Sequence, residues 1–412
     1  MMTSRERVRK ILNHEEADRP AIDLGGTSVT GTSGWTYRQL KQLLGIPGER
    51  VRIFDLFQML AEVEPEVKDA LGCDFELLPK QKVIMGLDYG KWKPHTFWDG
   101  QTFEVPEGFN PTRESDGTLN LPWEPGSSQM MRMPAGGRFF DFVPDPKASA
   151  IDVPHIQEED WAFQPPLTDA FLKRERATAQ ALHAATERAL FAEPPLSAPC
   201  GYGGLYGFAL KMMMEPQHCL DYMMRSAEAS ARAYAQYLDA VADYIDVIAI
   251  CLADFGLQDR EVFDPELFGQ FYTPAWRLIS DVVHRYPGVK VWIHCCGSVP
   301  GIIPHFIEAG VDCLNPVQWT AAGMDLAALK AKYGDQLVFW GGAVSTQRTL
   351  PFGTSEQVEE EVRDVLDIMA PGGGYVVNAI HNILPEVPVE NTAVLFKTAR
   401  EYRYQPAQGG VK

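Results

Sequence analysis

No uninterrupted apolar run in this chain approaches the roughly 20 residues needed to cross a bilayer. Its N-terminus, Met1–Arg9, is polar and charged and lacks the apolar stretch of a secretory signal. Lys/Arg-rich runs are also missing, and the formal net charge is −18. Nucleic acid and anionic membrane surfaces are therefore not expected as partners. Cysteine is sparse and odd in number, with seven scattered residues: Cys73, Cys200, Cys219, Cys251, Cys295, Cys296 and Cys313. A secreted disulfide framework is denser and paired, so reduced thiols in a cytoplasmic enzyme are expected. No G-x-G-x-x-G follows a first strand, which leaves a dinucleotide fold without support. Internal repeats and low-complexity tracts are absent as well.

What is present suits a large core. The 412 residues are 45% hydrophobic and 22% charged. A length of this order fits two or three domains, or one barrel with insertions. Residues 4–14 read as an opening helix with Val8, Ile11 and Leu12 on one stripe. Arg19-Pro20 introduces a short strand, and residues 35–72 read as helix in two pieces. Residues 88–145 differ, being rich in Trp, Phe, Gly and Pro with turn signals between short alternating pieces. Asp99-Gly100 suits a type I′ hairpin turn, and the segment reads as an antiparallel β-insertion.

From about residue 166 helical and strand-like stretches alternate with short connections. Helices are expected over 167–190, 215–242, 264–286, 300–309 and 325–333. Asp264-Pro265 and a Thr354/Gln357 capping box mark two helix starts. The strands are nearly continuous apolar runs, as in parallel βαβ units buried on both faces. An open doubly wound sheet fits this pattern too. The expected fold is an α/β (β/α)8 TIM barrel spanning 1–412 as a single domain, with the β-insertion at 88–145.

Polar residues gather where strands end: Asp254, His294-Cys295-Cys296, Asn315 with Gln318, and His381-Asn382. In a closed barrel these ends share one rim, where catalytic groups belong. Alternation along a strand points His294 and Cys296 to one side and Cys295 to the other. A nitrogen and a thiolate so placed suit tetrahedral zinc. Cys251, Asp254 and His381 are candidates for the third ligand. The alternative is a substrate-binding His294 with both cysteines buried as small hydrophobes. His381 is a candidate ligand, general acid or substrate anchor, or else a structural cap on the last strand. Asp254 pairs with Asp246 as two carboxylates, or Asp246 opens the strand and Asp254 alone reaches the mouth. Gly201–Gly207, which carries Tyr202, suits an anion cradle, a lid or close packing. Met212-Met213-Met214 reads as core.

Arg5-Glu6-Arg7-Val8, Asn13-His14-Glu15, Asp18-Arg19-Pro20, Asp264–Phe268, His294–Ser298, Leu314–Gln318 and His381-Asn382-Ile383 together resemble the uroporphyrinogen decarboxylase superfamily. The resemblance implies a (β/α)8 barrel. It has two branches. Porphyrinogen decarboxylases carry an arginine-rich N-terminal segment, whereas the matching Asp23–Ser28 here has no arginine. The other branch, similar also in the β-insertion, comprises cobalamin-dependent methyltransferases, including O-demethylase components that act on methoxylated aromatics. These use zinc held by a His-x-Cys pair, matched by His294 and Cys296, and by a distant cysteine. The position matching that cysteine is Gly373.

The expectation is a methyltransferase that moves a methyl group between a small compound, as donor or acceptor, and a corrinoid protein carrying cobalamin. Zn2+ assists at His294 and Cys296, with Cys251 or His381 as third ligand. Asp254 and His381 are the catalytic pair, and Asn315, Gln318, Tyr202 and Asn382 bind substrate. Trp92, Trp98, Trp123 and Phe139 line a ring pocket or form the insertion's own core. The alternatives are a metal-free decarboxylase of a small carboxylic acid and a non-catalytic binding protein. Oligomeric state is open, a homodimer among the options.

Overall fold

The computed structural model describes residues 2–144 and 155–404. Eight short strands run parallel: β1 (Ala21–Ile22), β2 (Phe75–Leu77), β3 (Ala189–Ala192), β4 (Val247–Leu252), β5 (Lys290–His294), β6 (Cys313–Asn315), β7 (Val338–Trp340) and β8 (Tyr375–Val377). Each pairs with the next from β2 to β8, and β8 pairs with β1. Between β1 and β2 the wall is joined by Asp74, whose backbone N–H donates to the Ile22 carbonyl at 2.8 Å. Its carboxylate accepts from the Ile22 N–H at 2.9 Å. Helices stand between consecutive strands, so the expected (β/α)8 barrel is the observed fold.

The barrel interior is filled, not hollow. Phe75, Phe191, Trp292 and Trp340 meet there, with Phe191–Trp292 and Trp292–Trp340 ring centroids at 5.0 and 6.2 Å. The stripe of the opening helix, Ser4–Leu12, buries Val8, Ile11 and Leu12 against this cluster and closes the barrel at the strands' N-terminal ends. Below them Asp74, fully buried, receives Arg7 at 2.7 Å and Arg19 at 2.7 Å. Arg7 also reaches Asp18 at 2.6 Å. The N-terminal motif behind the family resemblance thus builds the floor.

Gly373 belongs to that floor too. It precedes β8 with φ +74°, and a Cβ there would lie 2.6 Å from the backbone of Glu15. A cysteine at that position would stand at the opposite end of the last strand from His381. The correspondence with the family's distant ligand therefore does not place a metal donor at the rim.

Several local readings differ from the sequence expectation. The Asp99-Gly100 hairpin joins strands Trp92–Thr96 and Thr102–Pro106. Its Phe97 N–H donates to the Gln101 carbonyl at 2.9 Å, giving a three-residue loop with left-handed Gly100 in place of a two-residue type I′ turn. A four-stranded antiparallel sheet follows, ending at Asp141–Phe142. The expected insertion boundary at residue 145 lies outside the described residues. The helix after Asp264 contains a π turn over Phe268–Tyr272. Met212 is buried, but Met213 and Met214 are more than 70% exposed, so the methionine run is not all core. Among the described residues no helix is long and apolar enough to cross a membrane.

Candidate active site

Strand β5 delivers His294 to the mouth, and the next turn brings Cys296 back beside it. The His294 Nε2 and the Cys296 Sγ lie 3.3 Å apart. Gly297 makes this turn possible: its φ is +93°, and a Cβ would stand 2.5 Å from the backbone of Gly256. Asp254, in the loop after β4, approaches from the neighbouring strand. Its Oδ1 accepts the Cys296 N–H at 2.7 Å and lies 3.6 Å from His294 Nε2. One donor atom from each of Asp254, His294 and Cys296 falls within 4.8 Å of the others.

The tautomer of His294 follows from its neighbour. Asn315 Nδ2 donates to the Trp340 carbonyl at 3.2 Å, which turns Oδ1 toward His294 Nδ1 at 2.8 Å. Nδ1 therefore carries the proton, and the lone pair of Nε2 faces Cys296 and Asp254. Burial, then the Asp254 charge, pushes the Cys296 thiol well above its ordinary value. A thiolate here needs a cation beside it. Oxygen, imidazole nitrogen and sulfur in one oriented set fit zinc with an open fourth position.

A β-bulge decides which β4 residues reach this place. Ala249 pairs with Trp292 and Cys251 with Ile293, leaving Ile250 extra. The bulge turns Cys251 outward, where its Sγ sits 3.6 Å from that of Cys200, and sends Leu252, 46% exposed, to the mouth. Cys251 is not in the donor cluster. Asp246 lies at the other end of β4, bound to Arg9 at 2.8 Å and to the Leu190 N–H at 3.0 Å. It forms no pair with Asp254.

Burial lowers the pKa of His381 and favours neutral imidazole. Its Nδ1 is 3.4 Å from the Asn382 carbonyl. The polar atoms of Asn382 are engaged, with Oδ1 accepting from Gly31 N–H at 2.6 Å and Nδ2 donating to Gln58 at 3.0 Å. Gln318 accepts from Gly297 N–H at 2.9 Å and donates to Gln258 at 3.1 Å. Tyr202 sits apart in an aromatic group with Phe208 and Tyr222, ring centroids at 5.2 and 4.9 Å.

Several buried charges near the mouth went unnoticed in sequence. Asp23 receives Trp340 Nε1 at 2.9 Å and Gly26 N–H at 2.8 Å, and burial raises its pKa to about 6. Glu193 is buried and paired with Lys80. A cavity of about 1240 Å3 lies beside β2, and its lining includes Glu76, Lys68, Arg188, Lys80 and Leu252. None of Asp254, His294 and Cys296 lines it. Trp98 and Phe139 are 46% and 54% exposed, and of the four aromatic residues considered for a ring pocket only Trp123 borders this cavity.

A methyltransferase from Methanosarcina mazei superposes with a TM-score of 0.55 at 15% identity, over 97% of this chain and 99% of its own, which shows the shared fold. Uroporphyrinogen decarboxylases of Nostoc punctiforme and Microcystis aeruginosa are 27% and 26% identical over 177 and 178 residues. Each match takes in 41% of this chain and 48% of the relative, so the chain spans about half the length of the curated relatives it matches. The sequence model of the uroporphyrinogen decarboxylase (URO-D) family matches residues 196–402, half of the chain and the part that carries the Asp254, His294 and Cys296 cluster. The chain belongs to the uroporphyrinogen decarboxylase (URO-D) family.

Proposed function

We propose that this protein is a methyltransferase that moves a methyl group between a small O-, N- or S-methyl compound and a corrinoid protein, with zinc at Asp254, His294 and Cys296. The observation that carries the reading is the oriented donor set at the barrel mouth. The solved relative of the same fold that is named a methyltransferase agrees with it. When bound, zinc supplies Lewis-acid polarisation of a departing oxygen or activation of a thiol acceptor.

The protein's own groups do the rest. Asn315 holds the proton on His294 Nδ1 and so keeps Nε2 free. The Cys296 N–H steadies the Asp254 carboxylate. His381, kept neutral, offers one nitrogen to a substrate oxygen and can pass it a proton. Asn315, Gln318 and Asn382 hold the rim in place, while Leu252 gives the entrance an apolar side for a methyl group or ring.

A decarboxylase of a small carboxylic acid is the second reading, favoured by the uroporphyrinogen decarboxylases among its relatives. The segment Asp23–Ser28 opposes it by offering no cation for substrate carboxylates.

Metal analysis of the wild type and of His294→Ala tests the metal. The expected result is one equivalent of zinc less in the variant; equal content sinks the zinc assignment. Spectroscopic assay with cob(I)alamin and a panel of methoxylated aromatics tests the chemistry. Methylcobalamin formation is expected, and carbon dioxide release from carboxylic acids without it moves the assignment to the second reading.

A further inference from the structure

A second group of metal-type donors lies in the helical layer, independent of the mouth. His155 Nδ1 and Glu215 Oε2 are 2.5 Å apart. The rings of His155 and His218 face each other with centroids at 4.2 Å and planes at 32°. One donor atom from each of His155, Glu215 and His218 falls within 4.8 Å of the others. Glu215 joins helix Leu205–Met214 to helix Pro216–Val241. Its other oxygen, Oε1, is held by Lys211 at 2.9 Å, which fixes Oε2 toward His155.

One observation separates this group from an ordinary surface ion pair. His218 Nε2 is buried and has no hydrogen-bond partner among the described residues. Such an orphaned group destabilises the fold unless something satisfies it. Trp161, at 5.2 Å from His218, and Tyr202, at 6.4 Å, wall the group with aromatic carbon.

The surroundings also select the cation. Lys211 and the N-terminus of helix Pro216–Val241 both oppose positive charge. A hard ion bound by one shared carboxylate would not overcome them. Two imidazole nitrogens favour zinc and its transition-metal neighbours over calcium or magnesium. At ordinary bond lengths of about 2.1 Å tetrahedral donors stand about 3.4 Å apart, so His155 and Glu215 would part from 2.5 Å to admit the ion, a shift that side-chain rotation can supply.

We propose that His155, Glu215 and His218 form a second, structural site for a zinc-class divalent metal, which clamps the segment before helix Asp169–Ala185 to the start of helix Pro216–Val241. Sulfur is absent from this set, so the two sites differ spectroscopically. The test is cobalt(II) loading of chelator-stripped full-length protein, with bound cobalt counted and the near-ultraviolet sulfur-to-cobalt band recorded. Wild type is expected to hold two equivalents with the band. The double variant His294→Ala/Cys296→Ser should keep one equivalent and lose the band. His218→Gln and, separately, the more exposed His155→Gln should each lose one equivalent and keep it. In the Cys296→Ser background, zinc should raise the thermal midpoint, and adding His155→Gln should abolish the rise.

Full cobalt retention in both glutamine variants overturns the proposal, as does a double variant that is folded by circular dichroism and binds no cobalt. One wild-type equivalent without the band leaves this site standing and removes the mouth assignment. One equivalent with the band does the reverse.

Discussion

Asn315 fixes which nitrogen of His294 is free. Its amide is itself locked, because Nδ2 donates to the Trp340 carbonyl at 3.2 Å while Oδ1 sits 2.8 Å from His294 Nδ1. Removing the amide in Asn315→Ala lets the imidazole rotate and change tautomer. Zinc affinity should fall about 10- to 100-fold, as for other partners that orient metal-bound histidines. Competition against a chromophoric chelator measures it, and an unchanged affinity would show that the amide has no part in orienting the ring.

Asp254→Asn separates charge from position. The new amide oxygen can still accept the Cys296 N–H that Asp254 receives at 2.7 Å. If Asp254 is a ligand, zinc affinity should drop tenfold or more while folding stability changes by less than about 1 kcal/mol. Chelator competition and urea denaturation on the same preparation read both. Affinity within a factor of two of wild type would leave Asp254 as a loop anchor alone.

Asp55 makes stability depend on pH. Burial raises its pKa from an ordinary 3.8 to about 6, against the Gln58 N–H its Oδ1 accepts at 2.9 Å and the charge of Lys80. The folded protein therefore keeps a proton on Asp55 in a range where the unfolded chain has released it. Stability from this group is lost as pH rises from about 4 through about 6. Asp55→Asn should match wild type near pH 4 and exceed it by about 3 kcal/mol at pH 8. Denaturation curves at the two pH values check this. A gap that widens toward low pH would reverse the sign and reject the assignment.

Asp74 ties Arg7, Arg19 and the β1–β2 seam together with no solvent contact. Asp74→Ala leaves Arg19 without its carboxylate, and Arg7 with Asp18 alone, beside a broken seam and should cost about 3–5 kcal/mol. Zinc affinity at the mouth should persist in whatever fraction remains folded, because the damage is at the other end of the strands. A loss below 1 kcal/mol in urea would show that water replaces the carboxylate.

Much of this architecture was readable from local rules. Val8, Ile11 and Leu12 announced a buried helix face, and Thr354 with Gln357 forms the capping box their spacing suggested. Polar residues ending successive strands pointed to a rim, because strand ends share a direction in a parallel barrel. What depends on neighbours was not legible. The extra residue at Ile250 shows only against β5, yet it decides whether Cys251 or Leu252 faces the mouth. Of the two sequence readings for Asp246 and Asp254, a carboxylate pair or Asp246 opening the strand with Asp254 alone at the mouth, the structure agrees with the second, since they lie at opposite ends of one strand. Met213 and Met214 are exposed because helix Leu205–Met214 turns them away from the core, a choice made by tertiary packing. His155 and His218 meet only because two distant segments fold together.

The helix Ser4–Leu12 stoppers one end of the barrel, and Trp292 and Trp340 fill the bore above it. Traffic through the middle is thereby ruled out. Whatever reaches His294 must arrive and depart by the same doorway, so two reactants too large to fit together have to take turns.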